Sequence, residues 1–383
     1  MTWCTAQLAK LDKSPLFQLS LGSKELFHSN FLAWMFREFS GPASRAVGER
    51  LGIPLGKIAD PQRDISREYL NLDLSVRFDD GQLLVIENKV KSLPDLGQLE
   101  RYEAKIADKH ASESTQFVLL SATPPRFECS KWQPWSYSDI AAIVRQVAGA
   151  LPDSDSYSRQ LLSDYADFAE TLDELCSQTQ ATATDNFLEL LSKPSVQALR
   201  SARIHDLVFK LAYQQVTSAV DDRLRKIQST PEQPRDWRKA PVGSIWTDTA
   251  FTHGQGVSDV KLVVRGGQNP WVLGIQLQHD SLRLCLESAK PDPKKLEPAA
   301  ERLKVSGYWF DFTPGAQLLE GATYPKPPKQ FNRFGKVFLY RSQKLADHPH
   351  GTIGYDDVAD LIYRFIEFGI ENRDRIAEVI DQI

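Results

Sequence analysis

Between residues 73 and 89 the chain holds an acid, a second acid and a lysine at a spacing that a short hairpin would gather. The segment reads Asp73-Leu-Ser-Val-Arg-Phe, then Asp79-Asp80-Gly81, then Gln82-Leu-Leu-Val-Ile-Glu87-Asn88-Lys89. Apolar runs on either side of an Asp-Gly turn signal predict antiparallel strands over 72–78 and 83–89. Side chains two apart share a strand face, so Glu87 and Lys89 project together while Asn88 points away. Pairing through the turn sets Asp73 opposite the far strand's end, beside Glu87 and Lys89.

Two carboxylates suit Mg²⁺, which keeps several waters and takes a substrate phosphate in its remaining positions. A lysine beside that ion orients the attacking water and counters charge developing on phosphorus. The chemistry this predicts is phosphodiester hydrolysis. Taken alone, however, an E-x-K triplet also reads as a solvated ion pair at a strand end, so the surrounding elements carry weight.

Those elements follow from periodicity. Lys24–Phe39 repeats Leu26, Phe27, Asn30, Phe31, Trp34, Met35 and Phe39 at three-and-four spacing, predicting a helix closed by Gly41-Pro42. Ile65–Leu70 reads as a further strand before the hairpin. From Asp95 to His110 the pattern Leu96, Leu99, Tyr102, Ile106 predicts a helix, and Gln116–Ala122 a buried strand ended by Pro124-Pro125. Tyr137–Ala150 and Ser156–Leu175 read as two more helices. Gln98 and Tyr102, four apart, share one face of theirs.

This order of helix with Glu, strand, Asp-bearing strand, E-x-K strand, helix with Gln and Tyr, and strand resembles the PD-(D/E)XK nuclease superfamily. The motif is Asp73-x13-Glu87-x-Lys89, and Gln98-x3-Tyr102 is similar to the QxxxY element of recombination-exonuclease-type members. The stretch from Leu21 through Glu25, His28, Ser29, Asn30 and Phe31 to Trp34 resembles the first helix of a bacterial branch. Together these cover roughly residues 15–125. Leu72 stands where the eponymous Pro would be, a departure that removes backbone shape and no ligand. The resemblance implies an α/β (α+β) fold with a restriction-endonuclease-like core, its mixed central sheet flanked by helices. It implies that Asp73 and Glu87 bind Mg²⁺ or Mn²⁺, with the Asn88 backbone carbonyl and the Glu25 carboxylate as further ligands. Lys89 would position the water, and Gln98 and Tyr102 would hold substrate or Lys89. His28, Ser29 and Asn30 would contact phosphate or support the site.

At 383 residues the chain is about twice one domain's usual length. Hydrophobic residues at 42% and charged residues at 25% exclude collagen-like and disordered classes. The first 180 residues carry 19 Lys and Arg against 25 Asp and Glu, the remainder 27 against 25. The small, polar stretch Cys176–Asp185 (CSQTQATATD) reads as an exposed connection, placing domains at 1–178 and 179–383. The second is expected to be α+β: helical patterns over 187–191 and 195–227, a Pro-rich loop at Pro231, Pro234 and Pro241, and strands at 257–264, 271–278, 281–287, 307–312 and 336–340. Helices are expected over 294–304 and 356–372. The spacing of Asp73…Glu87 has an echo in Asp259…Gln276, which raises the question of a decayed duplication.

A net charge of -4 argues against a general polycation, so any anion-binding surface is local. Tyr324–Lys344 is such a patch, six Lys or Arg and five aromatics without an acid, readable as a nucleic-acid surface or as a β-hairpin with core rings. Asp347-His348-Pro349-His350 reads as a loop before it reads as a metal site. No P-loop, GxGxxG, HExxH or GxSxG appears at a usable position. Four dispersed cysteines, no signal-peptide pattern and no long apolar run lead to a cytoplasmic expectation. The sequence thus predicts a metal-dependent nuclease acting on nucleic acid, DNA ahead of RNA, with the second domain for substrate, a protein partner or self-association. A non-catalytic nucleic-acid-binding or assembly protein keeping the same fold is the alternative.

Overall fold

The computed structural model describes residues 3–22, 24–90, 94–125, 127–128, 131–226, 239–267, 269–290, 293–313, 330–345 and 352–383. The chain divides into two compact units, residues 1–178 with 198–207, and 179–197 with 208–383.

The first unit opens with helices α1 (Thr5–Lys13), α2 (Pro15–Ser20), α3 (Lys24–Glu38) and α4 (Ser40–Leu51). The helix expected over Lys24–Phe39 ends at Glu38, but Gly41-Pro42 falls inside the next helix instead of in a connection. Pro42 sits in the first turn of α4, where its missing N–H is one of the unpaired group anyway. After α5 (Pro61–Asp64) come strands β1 (Ile65–Ser66), β2 (Leu74–Arg77) and β3 (Gln82–Lys89), helix α6 (Leu96–Lys109), and strands β4 (Ser114–Ser121) and β5 (Trp132–Trp135). Helices α7 (Tyr137–Ala150) and α8 (Ser156–Leu190) follow. The sheet order is β1-β2-β3-β4-β5, antiparallel through β3 and parallel from β3 to β5.

The strand expected over Ile65–Leu70 stops at Ser66. Glu68, Leu70 and Asn71 have φ of 56°, 58° and 66°, a left-handed turn that no strand accommodates. The hairpin turn forms at Asp79-Asp80-Gly81, where Gly81 supplies φ +80° and its N–H donates to the Phe78 carbonyl. β3 is buried on both faces from Leu83 to Lys89, as befits a central strand beside a parallel neighbour. On one face Leu83 and Val85 pack with Phe117, Leu119, Leu72 and Trp132 against Leu99, Tyr102 and Ile106 of α6. Each such side chain contributes about 1.5–3 kcal/mol. On the other side of the sheet α3 lies against β1 and β3. β5 was not foreseen, because Trp132-Gln-Pro134-Trp135 carries a Pro. An edge strand tolerates it.

Cys176–Asp185 is helical, part of α8, with Cys176, Thr179 and Ala183 buried. The exposed connection read there is overturned, since one turn-spaced row of small residues makes a buried stripe that composition alone resembles a linker. The backbone of α8 breaks only at Asn186 (φ -157°, ψ 90°).

The remaining elements are α9 (Lys193–Ser201) and α10 (His205–Leu224), each divided between the two units, and then, in the second unit, β6 (Ile245–Thr252), β7 (Gln255–Arg265), β8 (Trp271–Gln278), β9 (Ser281–Ser288), α11 (Pro293–Val305), β10 (Asn332–Phe334), β11 (Phe338–Lys344), α12 (Tyr355–Glu371) and α13 (Arg373–Asp381). The single helix expected over 195–227 is two, separated where Arg203 turns left-handed at φ 54°. The sheet is antiparallel in the order β10-β11-β9-β8-β7-β6. β6 was missed. The strand expected over 307–312 is a turn, because Gly307 (φ 72°) and Phe310 (φ 65°) leave extended space. Leu262 and Leu273 face α12, where Gly369 allows contact close to Trp309.

The described part of the basic patch forms the antiparallel pair β10 and β11, as its hairpin reading has it, but its rings are not core: Phe334 is exposed, Phe331, Phe338 and Tyr340 are half-buried, and Arg341 is buried. Residues 324–329 lie outside the described residues, as do Asp347–His350, Pro231 and Pro234. The hairpin echo is real but short. Asp259 pairs with Gln276 as Asp73 comes opposite Glu87, yet β8 turns directly into antiparallel β9, whereas β3 continues through a helix to a parallel strand. Among the described residues no helix is long and apolar enough to cross a membrane.

Candidate active site

The ladder Leu74↔Ile86, continued by one residue, sets Asp73 opposite Glu87 at the C-terminal end of β3. The Asn88 backbone N–H donates to Asp73 Oδ2 at 2.7 Å, which holds that carboxylate at the strand end. Lys89 Nζ lies 2.7 Å from Glu87 Oε1, and both side chains are almost wholly buried, at 9% and 3% exposure. Alternation along β3 therefore puts Glu87 and Lys89 on the α6 face. The left-handed turn through Glu68, Leu70 and Asn71 delivers Asp73 to this end, a device that no Gly announced in the sequence.

Burial and the neighbouring Asp73 charge push the Glu87 carboxyl up to about 7, with Lys89 opposing. Asp73 is also raised, by burial and by Glu25, against the Asn88 N–H that stabilises its charged form. Burial works against the Lys89 ammonium, but Glu87, Asp73 and Glu25 outweigh it and hold Lys89 above its ordinary value. Lys89 is a cation at neutral pH.

Glu25 lies in the first turn of α3 and its Oε1 accepts from the Val90 N–H at 3.2 Å. On α6, capped by Asp95, Gln98 Nε2 donates to Tyr102 Oη at 2.8 Å. Burial and then the charge of Glu87 raise the Tyr102 phenol, so this pair stands within electrostatic reach of the acids. Asn88's side chain turns to the opposite face, as alternation requires, bonding the Glu25 carbonyl and Tyr137.

Of the opening helix's residues, Ser29 and His28 are buried and Asn30 is not. Ser29 Oγ donates to the Glu25 carbonyl at 3.1 Å and supports the site from behind. His28 is buried, 2.8 Å from Tyr165 Oη and among the rings of Tyr137 and Phe168, a place behind the strand end that fits the supporting alternative. Asn30 is exposed. Tyr137, the first residue of α7, was foreseen only as part of a helix, although the Ser136-x-x-Asp139 capping box marks where that helix starts.

Residues 55–178 match the sequence model of the PD-(D/E)XK nuclease superfamily. No curated protein and no solved structure matches the chain. The PD-(D/E)XK segment contains the hairpin, α6 and the parallel strands, and the mixed five-stranded sheet is consistent with the restriction-endonuclease-like fold. The superfamily is one of nucleases, generally dependent on divalent metal.

The residues present can be tested against such an ion. Among the described residues no three His, Cys, Asp or Glu side chains converge as a ready-made cage. Mg²⁺ does not need one, being held through one or two carboxylates plus waters and phosphate. Glu87 Oε2 is buried without a hydrogen bond, and two adjoining carboxylates there face one lysine. An unpaired oxygen in a buried excess of negative charge is what a divalent cation would satisfy.

Proposed function

We propose that this chain is a metal-dependent nuclease that hydrolyses phosphodiester bonds in DNA, with residues 1–178 carrying the reaction. The observation that carries this reading is the convergence of Asp73, Glu87 and the buried Lys89 at one end of β3, with Glu87 Oε2 unsatisfied. Asp73 and Glu87 would hold Mg²⁺ or Mn²⁺, with the Asn88 carbonyl and the Glu25 carboxylate as further ligands. When bound, the ion supplies Lewis-acid stabilisation of charge on the phosphate and lowers the pKa of its water.

Lys89 donates to the attacking water and stays protonated, since the surrounding acids stabilise its charge. Its role is to orient the oxygen in line with phosphorus and to offset negative charge as the bond to the leaving oxygen breaks. Gln98 and Tyr102 border the Glu87 side and hold Lys89 or the substrate backbone. Residues 179–383 serve substrate, a protein partner or self-association.

The test is incubation of the purified chain with circular and linear duplex DNA, single-stranded DNA and RNA, under Mg²⁺, Mn²⁺ or EDTA. Metal-dependent cleavage of DNA, lost in Asp73→Asn and Lys89→Ala, is the expected result. Binding without cleavage under every metal would replace the enzyme by a non-catalytic nucleic-acid-binding protein.

A further inference from the structure

Asn88 stands between the two residues that do the proposed chemistry, yet its side chain belongs to a different set of contacts. It is 1% exposed, and its carboxamide is fully engaged. Oδ1 accepts from Tyr137 Oη at 2.6 Å; Nδ2 donates to the Glu25 carbonyl at 2.8 Å and lies 3.5 Å from Ser29 Oγ. Ser29 Oγ donates to the same Glu25 carbonyl. Three separate elements, β3, α3 and α7, are thereby tied at one amide.

The backbone of this residue does a second job. The Asn88 N–H is the donor to Asp73 Oδ2, and the Val90 N–H, two residues on, is the donor to the Glu25 carboxylate. Wherever the Asn88 carboxamide is pinned, the two amides that hold Asp73 and Glu25 are pinned as well. A buried polar group costs about 1–3 kcal/mol for each bond left unmade, so an apolar side chain would fill this core position more simply if packing were its only purpose.

We propose that Asn88 is a positioning residue for the carboxylates at the end of β3, and that the Tyr137 hydroxyl is the anchor that fixes it. The anchor sets affinity for the divalent ion. The inference rests on the metal-dependent reading above and deepens it. Tyr137 is itself held, its ring packed at 4.7 Å on that of His28. Removing only its hydroxyl keeps the ring in the core and frees the carboxamide to rotate. Groups behind a metal's direct ligands typically change affinity ten- to a hundredfold when lost.

The experiment measures Mn²⁺ binding calorimetrically, together with the thermal midpoint, for the full chain and for Tyr137→Phe, Asn88→Ala and Tyr165→Phe. Tyr165→Phe is the control for stability alone, since that hydroxyl bonds His28 and not Asn88. The expected result is Mn²⁺ affinity weaker by about tenfold in Tyr137→Phe, and by more in Asn88→Ala where that variant folds. Tyr165→Phe should lower the midpoint and leave Mn²⁺ affinity unchanged. Cleavage by Tyr137→Phe should return at saturating Mn²⁺, a rise in the metal needed instead of a lower maximal rate. Unchanged affinity in Tyr137→Phe, or an equal loss in Tyr165→Phe, overturns the positioning role while leaving the metal site intact. A parent chain that binds no Mn²⁺ overturns both this inference and the reading beneath it.

Discussion

The two sheets each set a lysine against two acids, and they use the trio differently. In the first unit Lys89, Glu87 and Asp73 meet where β3 ends; each trio keeps one buried carboxylate oxygen without a hydrogen bond, Glu87 Oε2 in the first and Asp259 Oδ1 in the second. In the second, Lys261 lies mid-strand on β7 and reaches Glu287 Oε2 at 2.8 Å and Asp259 Oδ2 at 3.7 Å. Its cross-strand partner on β8 is Gly274. A Cβ there would lie 3.1 Å from Cys285 Cβ. The two trios therefore share residue types and differ in place, one at a strand end and one in mid-sheet. The carboxyl end of a strand with a parallel neighbour leaves room for a ligand, whereas the middle of an antiparallel sheet places flanking strands on both sides.

The largest effect should come from the lysines. Lys89→Ala is expected to reduce cleavage by about a thousandfold, within the range for losing an oriented charged group. Lys261→Ala is expected to hold the rate within about twofold, measured on linear DNA under saturating Mg²⁺. A comparable collapse in Lys261→Ala would erase the distinction between the two trios.

Next comes pH. Burial and Asp73 raise Glu87 to about 7, and burial raises Asp259 to about 6 against Lys261. An acid whose folded pKa is raised binds its proton more tightly folded than unfolded, so each favours the folded state at low pH. That advantage fades as pH climbs from the unfolded pKa near 4 through about 7 for Glu87 and about 6 for Asp259. Each accounts for about 3 kcal/mol across its window. Mg²⁺ should remove the Glu87 dependence and spare that of Asp259, which denaturant midpoints with and without EDTA at pH 4 to 8 would show. An equal response of both windows to Mg²⁺ would mean that the second trio also takes the ion.

Smaller again is Gly274→Ala, expected to cost about 1–2 kcal/mol by crowding Cys285, with cleavage unchanged. Arg283 lies 4.6 Å above the Tyr340 ring on the same sheet. Arg283→Gln should lower stability by only about 0.5–1 kcal/mol, read from the denaturant midpoint of the second unit.

Much of the first unit was legible because strong local signals agreed. The Asp79–Gly81 turn fixes a register that brings Asp73 to Glu87, and period-two alternation separates Asn88 from Glu87 and Lys89. The α7 bounds coincide with the expected 137–150, since an apolar period and a capping box point the same way. Cys176–Asp185 failed for the opposite reason: small residues have no periodic apolar signal, and the segment is a helix with Cys176, Thr179 and Ala183 buried on one side and Ser177, Ala181, Thr184 and Asp185 exposed. The strand expected at 307–312 failed because Phe310 takes a left-handed conformation its residue type disfavours.

By itself the sequence determined which residues could do chemistry, the hairpin that gathers them and the helix that carries Gln98 and Tyr102. These depend on contacts a few residues apart, or on a turn that sets its own register. The tertiary structure decided the rest: that His28 is a core residue, that Asn88 ties β3 to α3 and Tyr137, and that Lys89 meets its acids at a strand end while Lys261 meets its own in mid-sheet. Those outcomes depend on which distant elements meet. Burial and charge act through space, and pairing rules read along the chain do not reach them.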